Sequence, residues 1–122
     1  MNELAEEFRQ RTKLLALAVI RFYQTLPKTD EARILGKQLL RAATSTAANY
    51  RAATRGRSGA EFYAKLSIAV EEADETCFWL ELLKEAEICS TEQLEPLITQ
   101  SEAIRGFLAK SRSTLRARSK RS

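Results

Sequence analysis

Histidine is absent from this chain of 122 residues, and glycine, proline and cysteine are scarce. Without histidine there is no Ser–His or Cys–His catalytic pair, no histidine-bound zinc and no Glu-x-x-His di-iron motif. Only four glycines and two prolines are present, so helix breakers are few. Such a chain, rich in Ala, Leu, Glu and Arg, favours helices over strands. We therefore expect an all-α protein that is not an enzyme and has no cofactor.

The two cysteines and the short apolar runs indicate the cellular compartment of the protein. On one helix Cys77 and Cys89 would lie about 18 Å apart along the axis, too far for a disulfide. Two unpaired thiols are typical of a reducing compartment. The acidic N-terminus lacks the basic segment of a signal peptide, and the longest apolar run, from Leu14 to Ile20, is far shorter than a membrane span. We expect a cytoplasmic protein that does not enter a membrane.

Apolar periodicity predicts four helices. The clearest pattern runs from Phe62 to Leu83, where core positions follow a 4-3-4-3 heptad spacing. Thr29 and Ser58 are predicted N-caps, and Gly56 is predicted as a left-handed cap that ends the second helix. The predicted fold is an antiparallel up-down-up-down four-helix bundle over residues 1–109, followed by a basic, flexible tail over 110–122. The helices are expected at about 4–26, 29–54, 58–87 and 91–112.

Two helices carry more apolar surface than one bundle core requires. The run from Leu14 to Ile20 is apolar on every side of the first helix, and Phe78 and Trp79 flank the heptad stripe of the third. In a chain this short, the surplus indicates burial against another copy. We therefore expect a homo-oligomer.

Charge is segregated along the chain, although the formal net charge is only +4. Residues 32–60 contain six basic residues and no acid, whereas residues 66–104 are strongly acidic. The tail is basic, and without it acidic residues outnumber basic ones. The basic second helix could follow a phosphate backbone together with the tail. It could also face the acidic third helix of the next subunit in a ring, or be neutralised by its own third helix. The tail could equally be a solubilising end.

One cluster, Glu71-Glu72-Ala73-Asp74-Glu75, could hold a metal. Its Glu-Glu-x-x-Glu spacing resembles half of the magnesium site of the all-α nucleoside-triphosphate pyrophosphohydrolases. The other half would have to come from Glu92 and Glu95 near the start of the fourth helix. A solvated or interfacial acidic face is the alternative, and we favour it. The Arg55–Gly59 segment also has two interpretations: it could bind an anion, or it could simply be a turn followed by a helix cap.

Taken together, the segments from Leu40 to Glu75 resemble a known family. They read Leu40-Arg41-Ala42-Ala43-Thr44-Ser45-Thr46-Ala47-Ala48-Asn49-Tyr50, then Arg55-Gly56-Arg57-Ser58, Glu61-Phe62, Lys65-Leu66-Ser67-Ile68-Ala69 and the acidic cluster. This order resembles the 23S rRNA intervening-sequence protein family, which includes the accessory protein of diversity-generating retroelements. The resemblance implies a homopentameric ring. It also implies nucleic acid bound on basic surface in the retroelement members, and a protein partner such as a reverse transcriptase.

The function expected from the sequence is RNA or DNA binding, as an accessory or scaffold protein. A structural or protein-interaction assembly that binds no nucleic acid is the main alternative, and a magnesium-dependent nucleotide pyrophosphohydrolase is a remote one. The predicted phosphate contacts are Arg41, Arg51, Arg55, Arg57, Arg112, Arg116, Arg118, Lys120 and Arg121.

Overall fold

The computed structural model describes residues 3–121, with side chains described from 3 to 118. It contains four α-helices: α1 (Glu3–Gln24), α2 (Asp30–Thr54), α3 (Gly59–Glu85) and α4 (Thr91–Arg121). Within these residues there is no strand, so the predicted all-α fold is confirmed. No helix of the described chain has the length and apolar character needed to cross a bilayer.

Helix packing follows chain order. Each helix packs against the next, and α4 packs back against α1. Contacts between neighbouring helices join the start of one helix to the far end of the other. Near the start of α1, Arg9 reaches Thr54 at the end of α2. Phe8, also near the start of α1, stacks on Phe107 in the second half of α4. Near the close of α3, Lys84 pairs with Glu95 near the start of α4. These contacts are consistent with an antiparallel up-down-up-down bundle.

Two helix starts have the predicted caps. The Thr29 hydroxyl accepts a hydrogen bond of 3.3 Å from the Ala32 N–H at the start of α2. The Ser58 hydroxyl accepts one of 3.1 Å from the Glu61 N–H at the start of α3. The Glu61 carboxylate reaches back and accepts from the Arg57 N–H at 2.9 Å. These bonds satisfy donors that a helix N-terminus leaves free, and they fix the turn that carries Arg57.

The predicted left-handed cap at Gly56 is wrong. The C-cap of α2 is Arg55 with φ −106°, and no glycine of the described chain has a positive φ. The Gly56 N–H instead closes a tight turn onto the Ala53 carbonyl at 3.0 Å, so no left-handed residue is needed. The left-handed residue is Glu87 (φ 55°), at the turn after α3.

The fourth helix runs to Arg121, past the predicted end at residue 112, so the segment predicted to be a flexible tail is helical as far as Arg121. No glycine or proline follows Gly106, and good helix formers such as Leu115 and Ala117 recur. Because Phe107 lies level with Phe8, the helix extends about 13 Å beyond the start of α1, given the helical rise per residue. We call the last part of α4, residues 110–121, the basic arm; it lies at one end of the bundle.

Burial matches the heptad stripe predicted for the third helix, whose positions are buried from Leu66 to Leu83, while Phe62 at its start is half-buried. Fully buried positions include Leu39, Leu66, Leu80 and Leu108, one or more from each of α2, α3 and α4. Leu4 is 50% exposed because it lies where α1 begins. Other large apolar residues also remain on the surface of the chain: Leu14, Ile20, Ile34, Ile68 and Phe78.

Candidate nucleic-acid interface

Arg41 is neutralised by its own chain. Its guanidinium lies 2.9 Å from a carboxylate oxygen of Glu75 and 3.3 Å from one of Glu72, both on α3. Arg41 also lies about 15 Å from Arg51 along α2. The structure therefore separates Arg41 from the other predicted phosphate contacts and gives it a local partner, one of the alternatives left open by the charge pattern.

Two other predicted residues, Arg51 and Arg55, face a groove between α1 and α2. The groove has a volume of about 580 Å³, and its far wall carries Arg9 and Lys13 of α1. Arg9 and Lys13 are four residues apart, as are Arg51 and Arg55, so the two residues of each pair share one face of their helix. The remaining lining residues are Glu6, Gln10, Ala47 and Ala48. The two alanines are small, which leaves the floor of this basic groove open between two rows of cations.

Arg9 is the most constrained cation of the basic groove. One guanidinium nitrogen donates a hydrogen bond of 3.0 Å to the Thr54 hydroxyl across the helix pair, and the other pairs with the Glu6 carboxylate. The hydrogen bond from Arg9, assisted by one from Gln10, holds the pKa of Glu6 below its usual range. Glu6 is therefore ionised at neutral pH and orients Arg9, while adding one negative charge to the groove.

Lys13, Arg51 and Arg55 have no such local partner. None of the three forms an ion pair with any side chain in the range 3–118, and all three are exposed. Their charges are therefore available to an anion in the groove. Protein cations displace the counterions that surround an anionic polymer such as RNA. The release of these counterions drives binding at low salt.

Arg57 extends the basic surface beyond the groove. It lies in the exposed turn between Arg55 and Ser58, and no side chain of the described range pairs with its guanidinium. The turn is held by the bond from the Arg57 N–H to Glu61. A fixed backbone with a free side chain suits a phosphate contact at the edge of the groove.

The C-terminal arginines lie on the basic arm. Arg112 is half-buried, whereas Arg116 and Arg118 are exposed. Lys120 and Arg121 belong to the same helix by their backbone, but their side chains lie outside the described residues. The arm leaves the bundle at the end where α1 begins and α2 turns into α3, which is also the end that holds the groove.

The two ends of the bundle consequently differ in charge. One end carries the groove cations, Arg57 and the arm. The opposite end, made by the turn before α2 and the turn between α3 and α4, carries many carboxylates. They are Asp30, Glu31, Glu85, Glu87, Glu92 and Glu95. Antiparallel packing thus gathers cations at one end of the bundle and carboxylates at the other, where Lys28, Arg33 and Lys84 also lie. The basic end is the more favourable of the two for an anionic polymer.

The suspected magnesium ligands do not come together. Glu72 and Glu75 pair with Arg41, and Asp74 lies 3.6 Å from Arg105 on α4. Glu95 instead pairs with Lys84, about 15 Å further along α3 than Asp74. Across the described chain, no group of three acidic or cysteine side chains is arranged to hold a metal ion. The acidic face of α3 therefore forms ion pairs between helices.

Sequence reasoning missed Arg9 and Lys13. Their spacing of four residues on α1 was a usable signal, since it places both on one helix face. What the sequence could not supply was the face of α2 that they meet. That pairing depends on how α1 and α2 are rotated about their axes, which the Arg9–Thr54 hydrogen bond reveals.

Comparison with known proteins agrees with this architecture. A family model described as 23S rRNA-intervening sequence protein matches residues 6–110. The chain is also similar to a protein of unknown function from the S23 ribosomal protein family of Bacteroides thetaiotaomicron, known from a crystal structure. The two share 33% sequence identity with a TM-score of 0.81, over 89% of this chain and 97% of the other. No curated protein matches the sequence.

Proposed function

The chain belongs to the 23S rRNA-intervening sequence protein family, and we propose that it is a non-catalytic accessory or scaffold protein that binds nucleic acid, with RNA as the expected ligand. The observation that carries the proposal is the basic groove. Three of its cations lack a carboxylate partner in the described part of the chain, and the fourth is held in place by Thr54 and Glu6.

The groove is suited to phosphates rather than to base edges. Its lining includes no aromatic ring, and Gln10 is its one amide side chain. Arginine and lysine contacts to phosphates position a nucleic acid without reading its sequence. We therefore propose weak sequence preference in this groove. The arm, with Arg112 and Arg116 one helical turn apart, supplies further phosphate contacts on the same end.

Self-association is the second part of the proposal. Leu14 and Ile34 are each 61% exposed, and Phe78 is 47% exposed. Large apolar side chains on a surface are suited to contacts between subunits. We propose that these residues lie between copies of the chain in a ring, the pentamer implied by the resemblance. Light scattering on the purified protein should then give about five times the chain mass of 13.8 kDa. A mass equal to one chain would reject the ring.

No reaction is assigned to the protein. Four of the six carboxylates that could have held magnesium, Glu72, Asp74, Glu75 and Glu95, are paired with Arg41, Arg105 and Lys84. We therefore expect no magnesium-dependent release of pyrophosphate from nucleoside triphosphates. Release above the background of a Glu72→Gln, Glu75→Gln variant would instead support the pyrophosphohydrolase alternative.

The proposal is tested by fluorescence anisotropy with a labelled structured RNA and a DNA duplex across a salt series. Binding should weaken steeply as salt rises, because each neutralised phosphate contributes about 0.7–0.9 to the slope of log K against log salt. Arg112→Ala, Arg116→Ala should weaken binding without abolishing it. No binding at low salt would reject the proposal and favour a protein-interaction assembly.

A further inference from the structure

An aromatic cleft opens at the basic end, next to the basic groove. We define the cleft by four residues, one from each helix: Leu4, Tyr50, Phe62 and Phe107. Its volume is about 450 Å³, within the range of small-molecule pockets. A second lobe of about 410 Å³ shares Leu4, Phe62 and Phe107, and its remaining lining residues lie on the arm.

Two rings of the cleft, Phe107 and Tyr50, are held by contacts with neighbouring rings. Phe107 stacks on Phe8 with centroids 3.7 Å apart and an angle of 7° between the planes. Tyr50 approaches Phe107 edge-on at 6.5 Å and 76°. Phe107 and Phe62 nevertheless remain half-buried rather than buried, so part of each ring faces the opening. A preorganised, partly exposed aromatic surface is what a flat apolar ligand needs for stacking.

The cleft adjoins the basic groove. Thr54 lines the cleft and accepts the hydrogen bond from Arg9, which lines the groove. Arg55 lines the groove, and the next residue, Gly56, lines the cleft. Lys110 and Arg118 line the second lobe on the far side. A ligand that spans groove and cleft therefore meets cations on both sides of an apolar, aromatic floor.

From this juxtaposition we infer that the cleft receives an unpaired base of a nucleic acid whose backbone lies in the basic groove. The ligand class is then single-stranded or looped RNA or DNA rather than a continuous duplex, in which every base is stacked and paired. Proteins that bind single strands combine a cationic path for the backbone with aromatic side chains for the bases. Ser111 and Thr114 also line this region, and hydroxyls of this kind hydrogen-bond to base edges. The inference rests on the proposed function, since it requires the groove to hold the phosphates.

The experiment compares a single-stranded oligonucleotide and a duplex of equal length, each with one 2-aminopurine. The wild-type protein should bind the single strand about tenfold more tightly, equivalent to about 1.4 kcal/mol, with a change in 2-aminopurine fluorescence. Phe62→Leu keeps an apolar side chain and removes the ring. It should abolish both the preference and the fluorescence change while leaving duplex affinity unaltered. Phe62→Tyr should restore them.

Matched variants separate this inference from the proposed function. Tyr63→Leu removes a ring at the next position of α3, where the half-buried side chain lines neither the cleft nor its second lobe, and should have no effect on the preference. Arg51→Ala, Arg55→Ala should weaken binding of both ligands equally. If that variant behaves so but Phe62→Leu leaves the preference intact, the base site in the cleft is rejected while the proposed function stands. If the wild-type protein binds neither ligand, the proposed function fails as well.

Discussion

The Arg9 guanidinium donates a hydrogen bond of 3.0 Å to the Thr54 hydroxyl, and this contact joins α1 to the end of α2. It brings the cations of α1 into line with those of α2, which are far apart in sequence. The same arginine pairs with Glu6, so its orientation is set from two sides. The orientation of Arg9 in the basic groove thus depends on two polar contacts, one of which crosses from α1 to α2.

Glu6→Gln should increase affinity for RNA. The substitution removes the one negative charge lining the groove, and the amide can still hydrogen-bond Arg9. We expect affinity to rise about threefold at low salt, with less effect at high salt because exposed charges are screened. Anisotropy titrations would measure it.

The matched control is Glu7→Gln, which makes the same charge change beside Arg11 and outside the groove lining. An equal gain in both variants would indicate a general charge effect. The lowered pKa of Glu6 adds a pH test. Since the lowered pKa keeps the Glu6 carboxylate ionised at pH 4.5, where a glutamate of ordinary pKa is half protonated, acidifying the wild-type protein from pH 7 to 4.5 should not reproduce the gain.

Arg41→Ala should affect stability and leave binding unchanged. The guanidinium bridges Glu72 and Glu75 of α3, and the second oxygen of Glu72 is buried without a hydrogen-bond partner. Losing the bridge should lower the free energy of unfolding by roughly 0.5–1 kcal/mol, since the pair is partly exposed. Urea unfolding and an RNA titration would measure the two effects. A loss of RNA affinity comparable with that of Arg51→Ala would place Arg41 in the interface after all.

Glu87→Gly should stabilise the fold. Glu87 has φ 55°, and its N–H donates to the Lys84 carbonyl at 3.0 Å while the Ile88 N–H donates to the Leu83 carbonyl at 3.2 Å. This is the Schellman arrangement, in which glycine is preferred at the left-handed position. We expect a gain of about 1 kcal/mol in the free energy of unfolding. Ala86→Gly, one residue earlier at φ −80°, should show no gain. Equal stabilisation by both would contradict the assignment.

The two cysteines should differ in reactivity. Both thiols are free, and Cys77 is buried at 5% exposure whereas Cys89 is half-buried. Burial raises the pKa of Cys77 to about 11 and raises that of Cys89 as well. Because the thiolate is the reactive form, a disulfide reagent at pH 8 should modify Cys89 first and Cys77 only after unfolding. In a Cys89→Ser variant the folded protein should react slowly, and faster as the pH rises. Rapid modification of that variant at pH 8 would contradict the burial of Cys77.

Much of the fold could be predicted because it depends on local patterns. The heptad spacing from Phe62 to Leu83 and the caps at Thr29 and Ser58 are read within a few residues. The end of α4 was mispredicted because a dense run of basic residues resembles a solvated tail. Helix formers without a breaker instead continue the helix, and Leu115 remains half-buried on it.

The candidate site could be predicted only in part. Arg51, Arg55 and Arg57 were identified from charge alone, but Arg41 has the same sequence signal and a different environment. What distinguishes them is the neighbouring helix. Arg41 lies opposite carboxylates of α3, while Arg51 and Arg55 lie opposite Arg9 and Lys13. These surroundings depend on how each helix is rotated about its own axis, which a single sequence does not determine.

Two matched double variants test whether nucleic acid binds at the basic end of the bundle, in the groove between α1 and α2. Arg51→Ala, Arg55→Ala removes two groove cations, and Lys28→Ala, Arg33→Ala removes two cations from the acidic end. The salt dependence of RNA affinity would be measured for both. We predict that the groove variant loses at least about tenfold in affinity and reduces the slope by about 1.5, whereas the other variant matches the wild type. Equal losses in the two variants, or no loss in the groove variant, would contradict the account.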